Sequence, residues 1–175
     1  MKPKVDIIVD EGMETARHHW IESAESYILA VLDLLGKRDW EVSVLLCGDA
    51  RIRALNARYR GIDAATDVLS FPQQGGAVGG AADGAAGAEG GAWPERGARR
   101  HAGDIVISLE TLECGCTGAA CAEEARRLLV HGILHLAGCD HEGPLCTEGP
   151  QTEPMLRRQE DILRTLMNTD LGRAL

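Results

Sequence analysis

Bulky aromatic residues are scarce in this chain of 175 residues, which has one Phe, two Tyr and three Trp. Aliphatic side chains must therefore build the core, and 45% hydrophobic residues over this length suffice for one domain. The sequence also lacks any apolar run of about eighteen residues, the minimum for a membrane-spanning helix. Its first residues, Met-Lys-Pro-Lys-Val-Asp, have no signal-peptide hydrophobic region. We therefore expect a cytoplasmic protein that does not contact membranes.

Basic residues are also in deficit, since 18 Lys and Arg face 27 Asp and Glu, a formal net charge of −9. Phosphate contacts need a cationic surface, so this balance argues against a general nucleic-acid binder. Four arginines nevertheless fall within ten residues that contain no acid: Arg51, Arg53, Arg58 and Arg60. Residues seven apart share a helix face, which predicts a basic stripe that faces phosphates. The alternative is an ordinary solvated face.

The six cysteines are expected to be thiols, because disulfides are typical of exported domains and no export signal is present. A second metal site at Cys114, Cys116 and Cys121 is the weaker interpretation. Their spacing lacks the paired Cys-x-x-Cys signature of zinc sites.

The hydrophobic pattern predicts an α+β (mixed α/β) fold, with a four-stranded mixed sheet covered by helices. Strands are predicted at 5–9, 40–46, 67–71 and 104–108. Helices are predicted at 15–35, from an Asp49 cap to Gly61, at 121–137, and from near 152. The elements form one domain over residues 1–175.

Residues 73–100 interrupt this pattern, with nine Gly and eight Ala among 28 positions. So little bulky apolar surface cannot offset the entropy of ordering, which predicts a flexible insertion. It joins two predicted neighbouring strands and is therefore a long surface loop. Its last part, from Trp93 onwards, is either a plain tether or a contact for RNA.

Three histidines form the most informative motif: His131, His135 and His141. Residues four apart lie one turn above each other on a helix, so the first two can present imidazoles to one ion. Gly138 offers the left-handed turn that ends a helix, and His141 then follows from a loop. Three protein ligands with an open fourth position are typical of catalytic zinc. The motif predicts a metal site on a helix and the following loop.

The same spacing occurs in metzincin proteases, whose pattern is His-Glu-x-x-His-x-x-Gly-x-x-His. Here position 132 is Gly, so the carboxylate that activates water in those proteases is absent. A protease of that mechanism is disfavoured.

Together with this motif, three further segments resemble the YbeY family of metal-dependent bacterial endoribonucleases. They read Leu-Asn-Ala-Arg-Tyr-Arg-Gly-Ile-Asp at 55–63, Thr-Asp-Val-Leu-Ser-Phe-Pro at 66–72 and Gly-Asp-Ile-Val-Ile-Ser at 103–108. The resemblance covers nearly the whole chain except 73–100. It implies a zinc-dependent, single-strand-specific endoribonuclease that acts in 16S ribosomal RNA 3′ end maturation and ribosome quality control.

The resemblance also implies site residues and partners. One Zn²⁺ per chain would be bound by His131, His135 and His141, and Arg60 would be needed for activity. Partners would be single-stranded RNA, ribosomal RNA and small-subunit ribosomal proteins, and not DNA. Cys139 departs from the family, in which an aromatic residue or His is commoner before the Asp-His pair.

The sequence leaves the chemical details open. Asp140, Glu142 and Asp67 are candidate general bases, although Asp140 could instead orient a ligand histidine and Asp67 could anchor its strand. The nucleophile is either water or the ribose 2′-hydroxyl. Ser70 and Asn56 either line the cleft or have core and capping roles.

Two other classes of function are kept as alternatives. A non-catalytic, zinc-containing ribosome-associated factor would need a fourth protein ligand, for which Cys139 or Cys146 is the best placed. A metallopeptidase fits the histidine spacing but not Gly132 or the arginines.

Overall fold

The computed structural model describes residues 2–73, 99–139 and 154–167. Four strands and five helices lie in these ranges. In chain order they are β1 (Lys4–Val9), α1 (Ile21–Leu34), β2 (Trp40–Cys47), α2 (Asp49–Arg60), β3 (Val68–Pro72), β4 (Arg100–Ser108), α3 (Leu109–Gly115), α4 (Ala119–Leu136) and α5 (Pro154–Met167). No helix in these ranges combines the length and the apolarity needed to cross a bilayer.

The strands form one mixed sheet in the order β1-β2-β4-β3. β2 pairs in parallel with β1 and β4, while β3 pairs antiparallel with β4 at the edge. Parallel neighbours need a crossover, which α1 supplies between β1 and β2. The predicted four-stranded mixed sheet is confirmed, and the two strands that flank residues 74–98 are neighbours.

The two faces of the sheet are covered unequally. Alternate residues of β2 (Trp40, Val42, Val44 and Leu46) are buried in the larger core, which also includes buried residues of α1, α4 and α5. A smaller cluster on the opposite face joins Ile52 of α2 to Cys47, Leu69 and Val106. Because side chains alternate along a strand, α2 and α4 lie on opposite faces. β3, at the edge, lies between them.

Two helices differ from the prediction. α1 begins at Ile21 and not at residue 15, because 15–20 form turns in which His18 and Ile21 donate backbone bonds to Thr15 and His18. α3 was not predicted at all. It has only seven residues, of which Leu109 and Leu112 are buried, too few to show a helical period. Its start is fixed by the Ser108 hydroxyl, which accepts from the Thr111 N–H.

The predicted cap of α2, Asp49, is instead its first helical residue, and Gly48 precedes the helix in an extended conformation. The Asp49 carboxylate accepts hydrogen bonds from the Ser108 and Thr111 hydroxyls, each at 2.6 Å. Its N–H donates to Glu110. The prediction was wrong because the carboxylate binds donors distant in sequence. These bonds tie α2 to the corner between β4 and α3.

Replacing Asp49 tests this tie. Hydrogen bonds from two hydroxyls lower the pKa of Asp49 below its ordinary value, and the bond from Ser108 contributes more than the bond from Thr111. This stabilisation is complete above the unfolded carboxyl pKa of about 4 and is lost as the pH falls through the lower folded value. Asp49→Asn should therefore cost about 1–2 kcal/mol at pH 7 in urea unfolding, and the difference from wild type should shrink towards pH 3. Asp33→Asn, on the exposed face of α1, is the control; a pH-independent Asp49 effect would contradict the assignment.

Candidate active site

Helix α4 carries two of the three predicted histidines. His131 and His135 lie one turn apart, with ring centroids separated by 4.7 Å, and their Nε2 atoms are 3.1 Å apart. Most residues of α4 between Cys121 and Leu136 are buried, so the helix that carries both rings is held by the core on several sides. The spacing of four therefore yields two converging imidazole nitrogens on a packed helix, as a preorganised site requires.

The end of α4 has the predicted left-handed glycine. Gly138 has φ 82°, its N–H donates to the His135 carbonyl, and the Cys139 N–H donates to the Leu134 carbonyl. These two bonds form a Schellman motif, which ends the helix and turns the chain away from its axis. The next residues, including Asp140, His141, Glu142 and Cys146, lie outside the described ranges. The third ligand and two candidate bases therefore stay predictions.

His131 and His135 line a cleft of about 170 Å³ at the β3 edge of the sheet. Residues from three parts of the chain line it: Arg60, Thr66, Asp67, Val68, Ser70, His131 and His135. Arg60 is the last residue of α2, and residues 61–67 lead from it into the edge strand β3. The cleft brings together the arginine and two histidines that the sequence singled out.

Asn56 does not line this cleft. It is buried, and its side-chain amide donates to the Ala64 carbonyl at 2.8 Å. Its own carbonyl accepts from the Ile62 N–H. Of the roles considered, the core role applies, since Asn56 fixes the loop that follows Arg60.

Asp67 lines the cleft and also anchors its strand. Its Oδ1 accepts from the Thr66 hydroxyl and the Val68 N–H, and its carbonyl accepts from the Ser108 N–H. Ser70, two residues after Val68 on β3, lines the same cleft. Thr66, Asp67 and Ser70 thus line the cleft together with the two histidines.

The predicted basic stripe is wrong as a single phosphate-facing surface. Arg53 forms a two-point bond to Asp63, at 2.7 and 2.8 Å, and Arg58 stacks over Tyr59. Arg51 lines a separate groove together with Leu45, Phe71 and Asp104. Of the four arginines, Arg60 alone lines the histidine cleft. The sequence pattern did not reveal that Asp63, just beyond the helix, pairs with Arg53. It also did not reveal that the pairs 51/58 and 53/60, each seven residues apart, lie on different faces of α2.

Gly132 has a packing role. A Cβ at this position would lie 2.9–3.1 Å from three side-chain carbons of Ile105 on β4. Position 132 therefore faces the sheet at close range and cannot hold the glutamate of the metzincin pattern. The absence of that carboxylate follows from how α4 packs.

Gly132→Ala tests this contact. Overpacking against Ile105 should exceed the gain in helix propensity and lower stability by about 1–2 kcal/mol. Ile105→Val removes the nearest methyl, so it should cost less in the Gly132→Ala background than in the wild type, a non-additivity measured by a double-mutant cycle. Gly115→Ala is the control because no atom lies within 4 Å of its added Cβ. Additive effects at 132 and 105 would contradict the contact.

The paired imidazoles fit a zinc ion. Bonds of about 2.0–2.1 Å with tetrahedral angles place two nitrogens about 3.3 Å apart, close to the observed 3.1 Å. His131 Nδ1 lies 3.0 Å from Gln159 Oε1, and its Nε2 is the nitrogen that faces His135. Two of the predicted ligands thus have suitable donor atoms and separation. Gln159 is 28 residues from His131, so no local sequence pattern relates the two residues. The signal in the sequence was an amide among the apolar residues on the buried face of α5.

The second metal site is not supported. Within 2–73, 99–139 and 154–167, no three His, Cys, Asp or Glu side chains are placed to hold an ion. The five cysteines in these ranges are free thiols. Burial, followed by the hydrogen bond with Cys121, raises the pKa of Cys116 to about 12. This thiol stays protonated at neutral pH.

The fold and the cleft together define a class of protein. An α+β domain whose cleft combines two imidazoles, an arginine and a carboxylate has the groups of a phosphodiester hydrolase. Comparison with known proteins agrees, because the family model described as Endoribonuclease YbeY matches residues 7–167. The chain belongs to the Endoribonuclease YbeY family.

Its relatives extend over most of the chain. The protein named Endoribonuclease YbeY of Treponema denticola is 41% identical over 152 residues, 85% of each chain. That of Treponema pallidum (strain Nichols) is 40% identical over 147 residues, 82% of this chain and 79% of the relative. That of Borrelia turicatae is 35% identical over 158 residues, 88% and 89% of the two chains.

Proposed function

We propose that this protein is a zinc-dependent, single-strand-specific endoribonuclease that acts in 16S ribosomal RNA 3′ end maturation and ribosome quality control. The observation that carries the proposal is the cleft in which the Nε2 atoms of His131 and His135 meet beside Arg60. Family membership supports the activity. The proposed partners are single-stranded RNA, ribosomal RNA and small-subunit ribosomal proteins, and the proposed compartment is the cytoplasm.

One zinc ion per chain would be held by His131, His135 and His141. When bound, it would supply a Lewis acid that acidifies water and polarises a phosphoryl oxygen. The protein's contribution is to fix the two described imidazoles on α4 with their Nε2 atoms converging. Their convergence at 3.1 Å supports this role.

Arg60 is proposed to bind the scissile phosphate. Its planar guanidinium can donate two parallel hydrogen bonds to phosphoryl oxygens and neutralise the charge that develops on them. The loop fixed by Asn56 and the end of α2 hold it beside the histidines.

Asp67 is the candidate base that lies in the described cleft. Its Oδ1 accepts two hydrogen bonds, so Oδ2 is the oxygen available to take a proton from the nucleophile. The nucleophile is either water or the ribose 2′-hydroxyl. Identification of the product ends separates these routes, because attack by the 2′-hydroxyl leaves a cyclic phosphate.

Arg60→Ala tests the phosphate role. Loss of a charged donor to the transition state should lower kcat/KM on an end-labelled single-stranded RNA by about 100- to 1000-fold, and Arg60→Lys should restore only part. Arg53→Ala is the matched control, since Arg53 lies on the same helix but pairs with Asp63 outside the cleft. Equal losses for Arg53→Ala and Arg60→Ala, with both variants folded, would remove the proposed role.

His135→Ala, purified like the wild type, separates the protein's activity from contaminating ribonucleases. We expect about one zinc per wild-type chain, much less in the variant, and loss of RNA cleavage, because two remaining ligands bind zinc weakly. Metal content is measured by elemental analysis and cleavage on the same RNA. Equal cleavage by both proteins, or cleavage by neither, would instead favour the non-catalytic ribosome-associated factor.

A further inference from the structure

We propose that Gln159 of α5 is a positioning residue that selects the tautomer and ring orientation of His131 for metal binding. The proposal rests on the proposed function, since it assumes that His131 is a metal ligand. It adds a residue from a fifth helix to a site otherwise built from α2, β3 and α4.

The first argument is the burial of Gln159. It is 3% exposed and shares the buried face of α5 with apolar residues: Met155, Ile162, Leu163 and Leu166. A buried amide is costly unless it forms hydrogen bonds, and an apolar side chain of the same size would fill this position without that requirement. The hydrogen bond to His131 therefore gives the amide a role beyond packing.

The second argument is chemical. Gln159 Oε1 lies 3.0 Å from His131 Nδ1, and an amide oxygen can only accept a hydrogen bond. As an acceptor, Gln159 Oε1 favours the tautomer with the proton on Nδ1, which places the lone pair on Nε2. That nitrogen points towards His135 Nε2, where both imidazoles would contact one ion. Removal of this acceptor would remove the preference that Gln159 gives for a proton on Nδ1.

The third argument concerns orientation. The imidazole of His131 is held at one nitrogen by α5, while its Cα is held by the packing of α4. Two fixed points restrict rotation of the ring, so little entropy remains to be lost on metal binding. α4 and α5 are also joined on the surface by an ion pair between Arg127 and Glu160. The position of α5 thus determines the geometry of His131.

Zinc affinity without RNA gives the first test, measured by competition with a chromophoric chelator. Gln159→Met keeps the length of the side chain but removes the acceptor, and should weaken zinc binding about 10- to 100-fold. Gln159→Glu keeps an acceptor for the Nδ1 proton and should restore affinity to within about threefold of wild type. Met155→Leu, another buried change on α5, is the control for packing alone and should leave affinity unchanged.

The tautomer of His131 gives a second test, which uses only the wild-type protein. Long-range ¹H–¹⁵N correlation spectra of the metal-free wild type should show His131 with its proton on Nδ1. A proton on Nε2 would overturn the proposal.

The outcomes separate this proposal from the proposed function. Equal zinc affinity in wild type and Gln159→Met, or failure of Gln159→Glu to restore it, would overturn the role of Gln159 alone. Absence of zinc binding in the wild type would overturn both proposals. If the wild type binds zinc and Gln159→Met binds it more weakly, but the wild type does not cleave RNA, the role of Gln159 is supported and the nuclease proposal is overturned.

Discussion

The close contact between α4 and the sheet is the constraint on which the rest of the site depends. Gly132 brings the helix backbone within reach of Ile105, and a single added carbon would collide with that side chain. Because interiors are close-packed, a helix seated this tightly has little freedom to slide or rotate. His131 and His135 lie on another face of the same turns of α4. Their backbone positions at the β3 edge are therefore nearly fixed. The rigidity of the candidate metal site is a property of the core beneath it.

The same contact explains why a shared histidine spacing does not imply a shared reaction. In the metzincin pattern the residue after the first histidine faces the substrate and supplies a carboxylate. Here that residue faces the sheet, so any carboxylate that acts on the nucleophile must come from another element. Asp67, which lines the cleft just before β3, is one such group, and its carbonyl accepts a backbone hydrogen bond from Ser108 of β4. The candidate base and the candidate ligands thus lie in different layers of the fold.

Local sequence patterns predicted the helices and strands in which buried residues recur at regular intervals. The alternation in β2 and the apolar positions of α4 repeat over many residues, and both elements lie close to their predicted bounds. α3 is too short to show a period, and the bonds of Asp49 join residues about sixty positions apart, which no local pattern records. The family resemblance pointed to Arg60 beside the histidines. It did not point to Gln159, because that contact forms only when α5 packs against α4.

The charge distribution is consistent with a site that recognises few phosphates. With a net charge of −9, the surface as a whole repels a polyanion. The pairing of Arg53 with Asp63 also neutralises one of the arginines that could bind phosphate. Non-specific affinity for RNA scales with the number of phosphates that are neutralised, so a chain with this excess of acids gains little from the length of the RNA alone. Under the proposed function, binding energy would then come from the cleft, where Arg60 and the imidazoles would act on one phosphodiester. Such a surface would let the protein bypass bulk RNA and engage a strand only where its backbone is exposed enough to enter the cleft.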